Sequence, residues 1–376
     1  MSILTNIGFS KMTPNVQLTK SAKPSANPSA TSPGTSSANP AAVASSRASN
    51  KLGHKIGRFT VTDKLGSGSN GNVLLGHDPI IDRAVAIKIL NTSTGVGDKK
   101  QREQQFINEA RAAGRLSHPN IVTIYDASTE AGTTFIAMEF LQGKDLREIL
   151  ASGKRFSIVE AAGIAYKIAN ALAYAHTQGV IHRDIKPANI FIVENNQPKV
   201  VDFGIARVPN RSLDEHGQPQ TLFKNNIMGT PNYMSPEQAS SEPVTPLTDV
   251  YSLGAVLYEM LTMQKPFSAT DFDKLLYNII HKTPKSPDII NPEVPEKLAY
   301  IVMKAMQKKT SRRYQGAAEM ALSLNKFLAR ERRAKRIAEK NFTTTGKGAI
   351  FQEHASFWLL GGGLITLTIL IVWWLQ

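Results

Sequence analysis

Residues 180–192 read VIHRDIKPANIFI and set His182, Arg183, Asp184, Lys186 and Asn189 between two short apolar runs. Pro187 excludes a regular helix, and VI and IFI have the character of strand fragments. Buried polar groups must be satisfied or used, so this loop asks for partners elsewhere in the chain. Asp184 lies two residues before Lys186 in an extended loop, which lets both address one reacting hydroxyl. Downstream, KVVDFGIAR (199–207) places Asp202 at a strand end before Phe-Gly, where a carboxylate offers a magnesium ion a hard oxygen ligand. Asn189 offers a second such oxygen.

Two upstream stretches supply complementary chemistry. LGSGSNGNV (65–73) spaces Gly66, Gly68 and Gly71 as G-x-G-x-x-G, with Ser67 between the first two. The same spacing marks a dinucleotide-binding turn, but that reading requires a helix immediately afterwards. Here Val73 and then RAVAIKIL follow, which reads as two strands joined by a turn whose glycines let backbone amides approach a polyphosphate. Standing alone, the motif is also compatible with a merely flexible turn. In AVAIK (84–88), strand alternation puts Ala84, Ala86 and Lys88 on one face, so the lysine needs an anionic partner. In FINEARAAG, Glu109 follows Phe106 by three residues and precedes Ala113 by four, on the apolar stripe of its helix. Lys88 and Glu109 are candidates for one buried pair.

The elements that must position these residues fall into two groups. RFTVTDKL, NVLLGHD, RAVAIKIL, IVTIYDAS and TFIAMEFL predict strands, interrupted by a helix over 101–116. After Asp145, long helical patterns dominate, so a strand-rich lobe precedes a helix-rich one. Residues 1–53 are rich in Ser, Ala, Pro and Asn without apolar periodicity and read as a disordered arm. The chain carries no cysteine, which removes disulfide and thiolate metal chemistry. Its net charge is +14, yet residues 1–53 contribute +5 and residues 326–347 contribute +6. The rest holds only +3, so no basic groove is declared and nucleic acid is not the expected partner.

The motifs and their order resemble the eukaryotic-type protein kinase family, in its bacterial (Hanks-type) serine/threonine branch. The resemblance runs over residues 58–328, and the last of its ordered motifs is GTPNYMSPE (229–237), with Ser235 where the family usually has alanine. It implies an α+β bilobal fold, with a small antiparallel β lobe carrying one helix and a large helical lobe. It also implies ATP and Mg²⁺ as the nucleotide and metal, and protein serines and threonines as substrates. By the same resemblance Leu65 and Val73 would cap the adenine, Ala86 would lie over it and Phe191 would form the floor. Met138 would be the gatekeeper, with the backbone of Glu139 to Leu141 as the hinge. Lys88, held by Glu109, would grip the phosphates, while Asp202 and Asn189 would bind magnesium. Asp184 would accept the substrate proton and Lys186 would neutralise the transferring phosphoryl.

The resemblance carries further. Lys186 and the Gly229-Thr230 pair look like the serine/threonine class. Glu237 and Arg313 look like the pair that locks the end of the activation segment. Asp249 resembles the aspartate that ties the catalytic loop, although a helix N-cap is equally compatible. Asn70 occupies the glycine-loop tip, where an aromatic residue is common. Within 202–237, Thr221 and then Ser212 are the expected autophosphorylation sites, with a homodimer as the arrangement for it, and an ordinary solvated threonine as the alternative. A catalytically dead scaffold and a small-molecule phosphotransferase are the competing functions.

Finally, Phe357 to Leu375 is 19 uncharged residues with all three tryptophans near its ends. As a helix it spans about 28 Å against a hydrocarbon core of about 30 Å. It is the expected transmembrane helix, a single tail anchor preceded by a basic juxtamembrane segment (329–356). The basic residues put the kinase region on the cytoplasmic side of the inner (plasma) membrane.

Overall fold

β-branched and aromatic residues build a six-stranded antiparallel sheet from β1 (Lys55–Ile56), β2 (Phe59–Gly68), β3 (Gly71–Asp78), β4 (Arg83–Leu90), β5 (Ile124–Glu130) and β6 (Thr133–Glu139). The strand order is β1-β2-β3-β4-β6-β5. Successive side chains of β4 serve opposite faces, as the period of two requires. Val85 and Ile87 join Phe59, Val61, Leu74 and Phe135 in one core, with the Phe59 and Phe135 rings edge to face at 6.0 Å. On the other face Ala86 packs with Val122 and Met138. α1 (Lys99–Ala113) lays Phe106 and Ala110 against Ile136.

The computed structural model describes residues 54–68, 71–90, 99–203 and 231–340, leaving aside the side chains of residues 101 and 109. The chain divides into Met1–Ser49 and Asn50–Gln376, and every described residue belongs to the second unit. Outside the described residues lie the arm 1–53, Asn70, Ser212, Thr221, Thr230, the linker beyond 340 and the apolar segment 357–375. Among the described residues, no helix is long and apolar enough to cross a membrane.

The second part is helical around a smaller sheet. β7 (Gly143–Asp145) leads into α2 (Leu146–Ala151) and α3 (Ile158–Thr177), followed by β8 (Ile190–Val193) and β9 (Gln197–Val200). β7, β8 and β9 form a three-stranded antiparallel sheet. Then come α4 (Pro236–Ala239), α5 (Pro246–Thr262), α6 (Phe272–His281), α7 (Pro287–Ile290), α8 (Glu296–Ala305) and α9, residues 317–340. The core centres on α3 and α5. Ser157 and Glu160 close a capping box that starts α3, and its alanines 161, 162, 165, 169 and 175 admit a close neighbour. α5 is buried nearly all round, as its sequence demands. At Gly254 it meets α8 so tightly that an added Cβ would lie 2.9 Å from the Ala305 side chain.

Three expectations shift. Val180 and Ile181 are not strand; they join a loop, in which the Val180 amide donates to Ala175 of α3 and the next amide bonded, that of His182, goes to Asp249 of α5. β5 starts at Ile124 rather than 121, since Ile121 pairs instead with Val200. α9 carries the folded region on to residue 340, past residue 328 where the resemblance ends.

Candidate active site

The loop 180–189 is held through its backbone. Asp249 of α5 is fully buried; its Oδ2 accepts from the His182 amide and its Oδ1 from the Arg183 amide, both at 2.8 Å. The same carboxylate meets His176 Nε2 of α3 at 2.8 Å. The N-cap reading of Asp249 is thereby corrected: Thr245 caps α5, and Thr248 completes its capping box. His182 is buried against Phe203, with ring centroids 4.6 Å apart. Its Nδ1 accepts from the Asp184 amide at 3.2 Å, so Nε2 carries the proton and donates to the Val201 carbonyl at 3.0 Å. Burial pushes its pKa below the usual 6.5, in keeping with a neutral ring. Gln238 of α4 donates to the Arg183 carbonyl at 2.7 Å. Arg183 itself sits at φ +66°, a conformation that costs a non-glycine residue of order 1–3 kcal/mol and persists only where neighbours enforce it.

So held, the loop gathers its remaining polar groups at one point. Lys186 Nζ donates to Asp184 Oδ2 at 2.7 Å, and Asn189 Nδ2 donates to the same oxygen at 3.1 Å and to the Asp184 carbonyl at 2.8 Å. The cluster therefore divides by task. His182 and the Asn189 amide nitrogen hold the loop, while Asp184 and Lys186 stay about one-fifth exposed.

Asp202 is brought alongside by β9. Val200 exchanges backbone bonds with Asn120 and Val122, and the Val201 amide donates to the Asn189 carbonyl at 3.0 Å. Asp202 then turns through φ +57°, and its carboxylate meets Lys88 Nζ of β4 at 2.8 Å. Burial around Asp202 favours its neutral form, but the Lys88 ammonium outweighs this and holds the carboxyl below its ordinary range, with Lys186 adding to the effect. The described anionic partner of Lys88 is thus Asp202; the side chain of Glu109, in α1, lies outside those described.

An apolar cluster includes Ala86, two residues before Lys88, and Val201, the residue before Asp202. Val73, Ala86, Met138 and Leu141 come together, as the sequence suggests, and are joined by Val122, Ile124 and Val201, which it did not single out. Val201 could have been found, because it immediately precedes Asp202 in the same strand-like run. The glycine stretch is a hairpin: Gly66 faces Val73, Ser67 faces Asn72 and Gly68 faces Gly71, which takes φ +130°. No helix follows it, so the dinucleotide-binding alternative falls away. Leu65 sits at a register shift and is 44% exposed. Phe191 stands half-buried in β8 opposite Lys199 and Asp145, outside the apolar cluster. The Glu139 side chain is taken by Lys199 at 2.8 Å, so its backbone, not its carboxylate, is what it can offer a ligand.

Ser235 is the N-cap of α4, accepting from the Gln238 amide at 3.3 Å, which explains a serine where alanine is usual. Glu237 and Arg313 do pair, through two bonds of 2.7 Å in a buried setting, with Thr248 adding a third donor at 2.8 Å. Arg313 holds the Glu237 carboxyl below its ordinary range despite burial.

Among the described residues, no three His, Asp or Glu side chains gather as a closed metal cage. That donor set fits magnesium, which takes one or two carboxylates and completes its shell with phosphate oxygens and water. Asp202 is 40% exposed, and Asn189 commits its amide nitrogen to Asp184, which leaves its oxygen as a ligand.

A family model described as "Protein kinase domain" matches residues 59–340. The chain is 35% identical over 287 residues to the serine/threonine-protein kinase PrkC of Bacillus subtilis, covering 76% of this chain and 42% of that protein. It is 38% identical over 271 residues to the serine/threonine-protein kinase PknB of Mycolicibacterium smegmatis, covering 71% and 42%. In fold it is similar to the PknI kinase domain of Mycobacterium tuberculosis, with a TM-score of 0.58 at 24% identity over 73% of this chain and 98% of that one. The chain spans about two fifths of the length of the curated relatives it matches.

Proposed function

From the premise that the chain belongs to the protein kinase domain family, we propose that it transfers the γ-phosphate of ATP to serine and threonine hydroxyls of proteins. The observation that carries this reading is the meeting of Lys88 and Asp202 beside the Asp184–Lys186–Asn189 cluster. The adenine fits between Val73 and Ala86 on one side and Phe191 on the other, with Leu65 closing over it. Met138 bounds the pocket and the backbone of Glu139 to Leu141 meets the ring edge. Gly66, Ser67, Gly68 and Gly71 cover the phosphates with backbone amides. Lys88 exchanges part of its bond to Asp202 for the phosphates, and Glu109 is placed on α1 to steady it.

Asp202 and Asn189 would hold magnesium, which when bound offsets the charge on the phosphate oxygens. Asp184 accepts the proton of the attacking hydroxyl, with Lys186 and Asn189 fixing its carboxylate. Lys186 then faces the charge that develops on the phosphoryl group. Because the transition state is loose, positioning and charge neutralisation carry most of the rate.

The purified full chain with ATP, Mg²⁺ and a generic protein substrate is expected to yield phosphoserine and phosphothreonine. Peptide mapping is expected to place autophosphorylation within 202–237, at Thr221 before Ser212, in a homodimer. Arg183, next to the base in sequence, is the expected partner of that phosphate. A dead scaffold would transfer nothing, and a small-molecule phosphotransferase would spare the protein substrate. Wild-type turnover by Thr221→Ala plus Ser212→Ala would remove the regulatory part alone.

We further propose that residues 357–375 anchor the chain in the inner membrane with the kinase region cytoplasmic. The support is the uncharged length, the tryptophans at its ends and the basic residues before it. The full chain is expected to resist alkaline carbonate extraction, while a 1–350 truncation is released and remains active. A full-length chain recovered wholly in the supernatant would end the anchor proposal.

A further inference from the structure

α9 leaves its core halfway along. Ala317, Met320, Ala321, Leu324, Phe327 and Leu328 recur at helical spacing and are buried in the large core. Beyond them the helix continues to residue 340, about 18 Å further. From Arg332 to Lys340 every residue is exposed. Nothing apolar holds this half. Its helicity rests on strong helix formers and on an i,i+4 pair of Lys335 with Glu339 at 4.0 Å.

Cations outnumber acids on this half; Arg332, Lys335 and Arg336 lie elsewhere round the helix, but the others share one face. Lys326, Arg330, Arg333, Ile337 and Lys340 succeed one another by steps of four and three, so they line one face, and all five are exposed. Glu331 and Glu339 lie about 100° and 180° round the helix from Arg330, off that face. Glu339 is moreover matched there by Lys335. The protruding helix thus presents cations around one apolar side chain, Ile337, which is 50% exposed.

We propose that this face of α9 rests on an anionic lipid bilayer and sets the orientation of the catalytic unit above it. The inference builds on the anchor proposal, and what it adds is the arrangement of those basic residues on one face of a helix. Cations close to an anionic surface add their attractions, and an apolar side chain among them suits the headgroup boundary. A nucleic-acid backbone would satisfy the cations and leave Ile337 without a place. Reach also agrees: residues 341–356 between α9 and Phe357 extend to at most about 55 Å, so a segment 357–375 in the membrane leaves α9 able to reach its surface.

The absence of cysteine makes a single label unique. Full-length Ala334→Cys, carrying an environment-sensitive fluorophore at the edge of the stripe, is reconstituted in vesicles of phosphatidylcholine alone or of equimolar phosphatidylcholine and phosphatidylglycerol. Blue-shifted emission, quenched by brominated acyl chains, is expected only with the anionic lipid and is expected to reverse in high salt. Adding Lys326→Gln, Arg330→Gln and Arg333→Gln is expected to lower the docked-to-undocked ratio about fivefold per cation. Equal emission in both lipids, or a signal indifferent to the three replacements, would overturn the proposal. So would an equal shift when duplex DNA is added to the neutral vesicles, which would assign the face to nucleic acid. Flotation separates the two readings: loss of the anchor leaves the chain off neutral vesicles, whereas loss of docking leaves it on both with the label in water.

Discussion

Asp184→Asn is expected to lower phosphoryl transfer by about 10²–10⁴-fold, the range for losing a general base, while the thermal midpoint stays near wild type. Asparagine keeps the size of the side chain, and Asn189 still donates to the residue 184 carbonyl, as it does at 2.8 Å. What disappears is the basic oxygen that Lys186 and Asn189 now orient. Lys88→Met is expected to cost comparably by another route. Methionine fits a site that is 8% exposed on an apolar strand face, but it leaves Asp202 without the ammonium at 2.8 Å. The Asp202 carboxyl, held low by that ammonium, should then titrate higher. Turnover and circular dichroism on both variants decide the matter: a folded variant with near-wild-type turnover would remove its residue from the site.

Much of this site was legible because chemistry and periodicity agreed. Alternation in β4 alone puts Ala86 and Lys88 on one face and Val85 and Ile87 on the other, as observed. Ala84 shares the face of Lys88 but is exposed near the strand's start, where pairing with β6 has ended and only β3 remains alongside. The glycine hairpin could be told from a dinucleotide turn only by what followed it, and the strand that follows made that decision.

Less of the long-range pairing was legible. The sequence pointed to Glu109 as the partner of Lys88 and not to Asp202, because no spacing rule links residues so far apart. Val122 and Val201 were missed because each looks like an ordinary strand valine until the bridge between Ile121 and Val200 brings them to the pocket. The far half of α9 was not legible because the apolar stripe that signals a helix stops at 328; the rest is held by propensity, which leaves no periodic trace.

Asp249→Asn decides between the two roles that sequence left equal, and a large loss of both stability and turnover is expected. The carboxylate accepts from the His182 amide, the Arg183 amide and His176 within a fully buried pocket. An amide offers one oxygen for those donors and turns an NH₂ group toward the remainder. Each buried donor left unsatisfied costs about 1–3 kcal/mol, and removing a buried charge from its partners costs about 3–5 kcal/mol. A loss of about 3 kcal/mol in unfolding free energy is therefore expected from chemical denaturation. Turnover should fall further than stability alone explains, because the same bonds enforce φ +66° at Arg183. Once they go, that strained backbone relaxes and carries Asp184 with it, and a misplacement of about 1 Å costs about 10²-fold. The control is Thr245→Ala, which removes the true cap of α5 and should cost only about 1 kcal/mol with turnover intact. If Asp249→Asn behaved like Thr245→Ala in both measurements, the aspartate would be a helix-terminus residue after all, and the catalytic loop would have to be held by Gln238 and His182 alone.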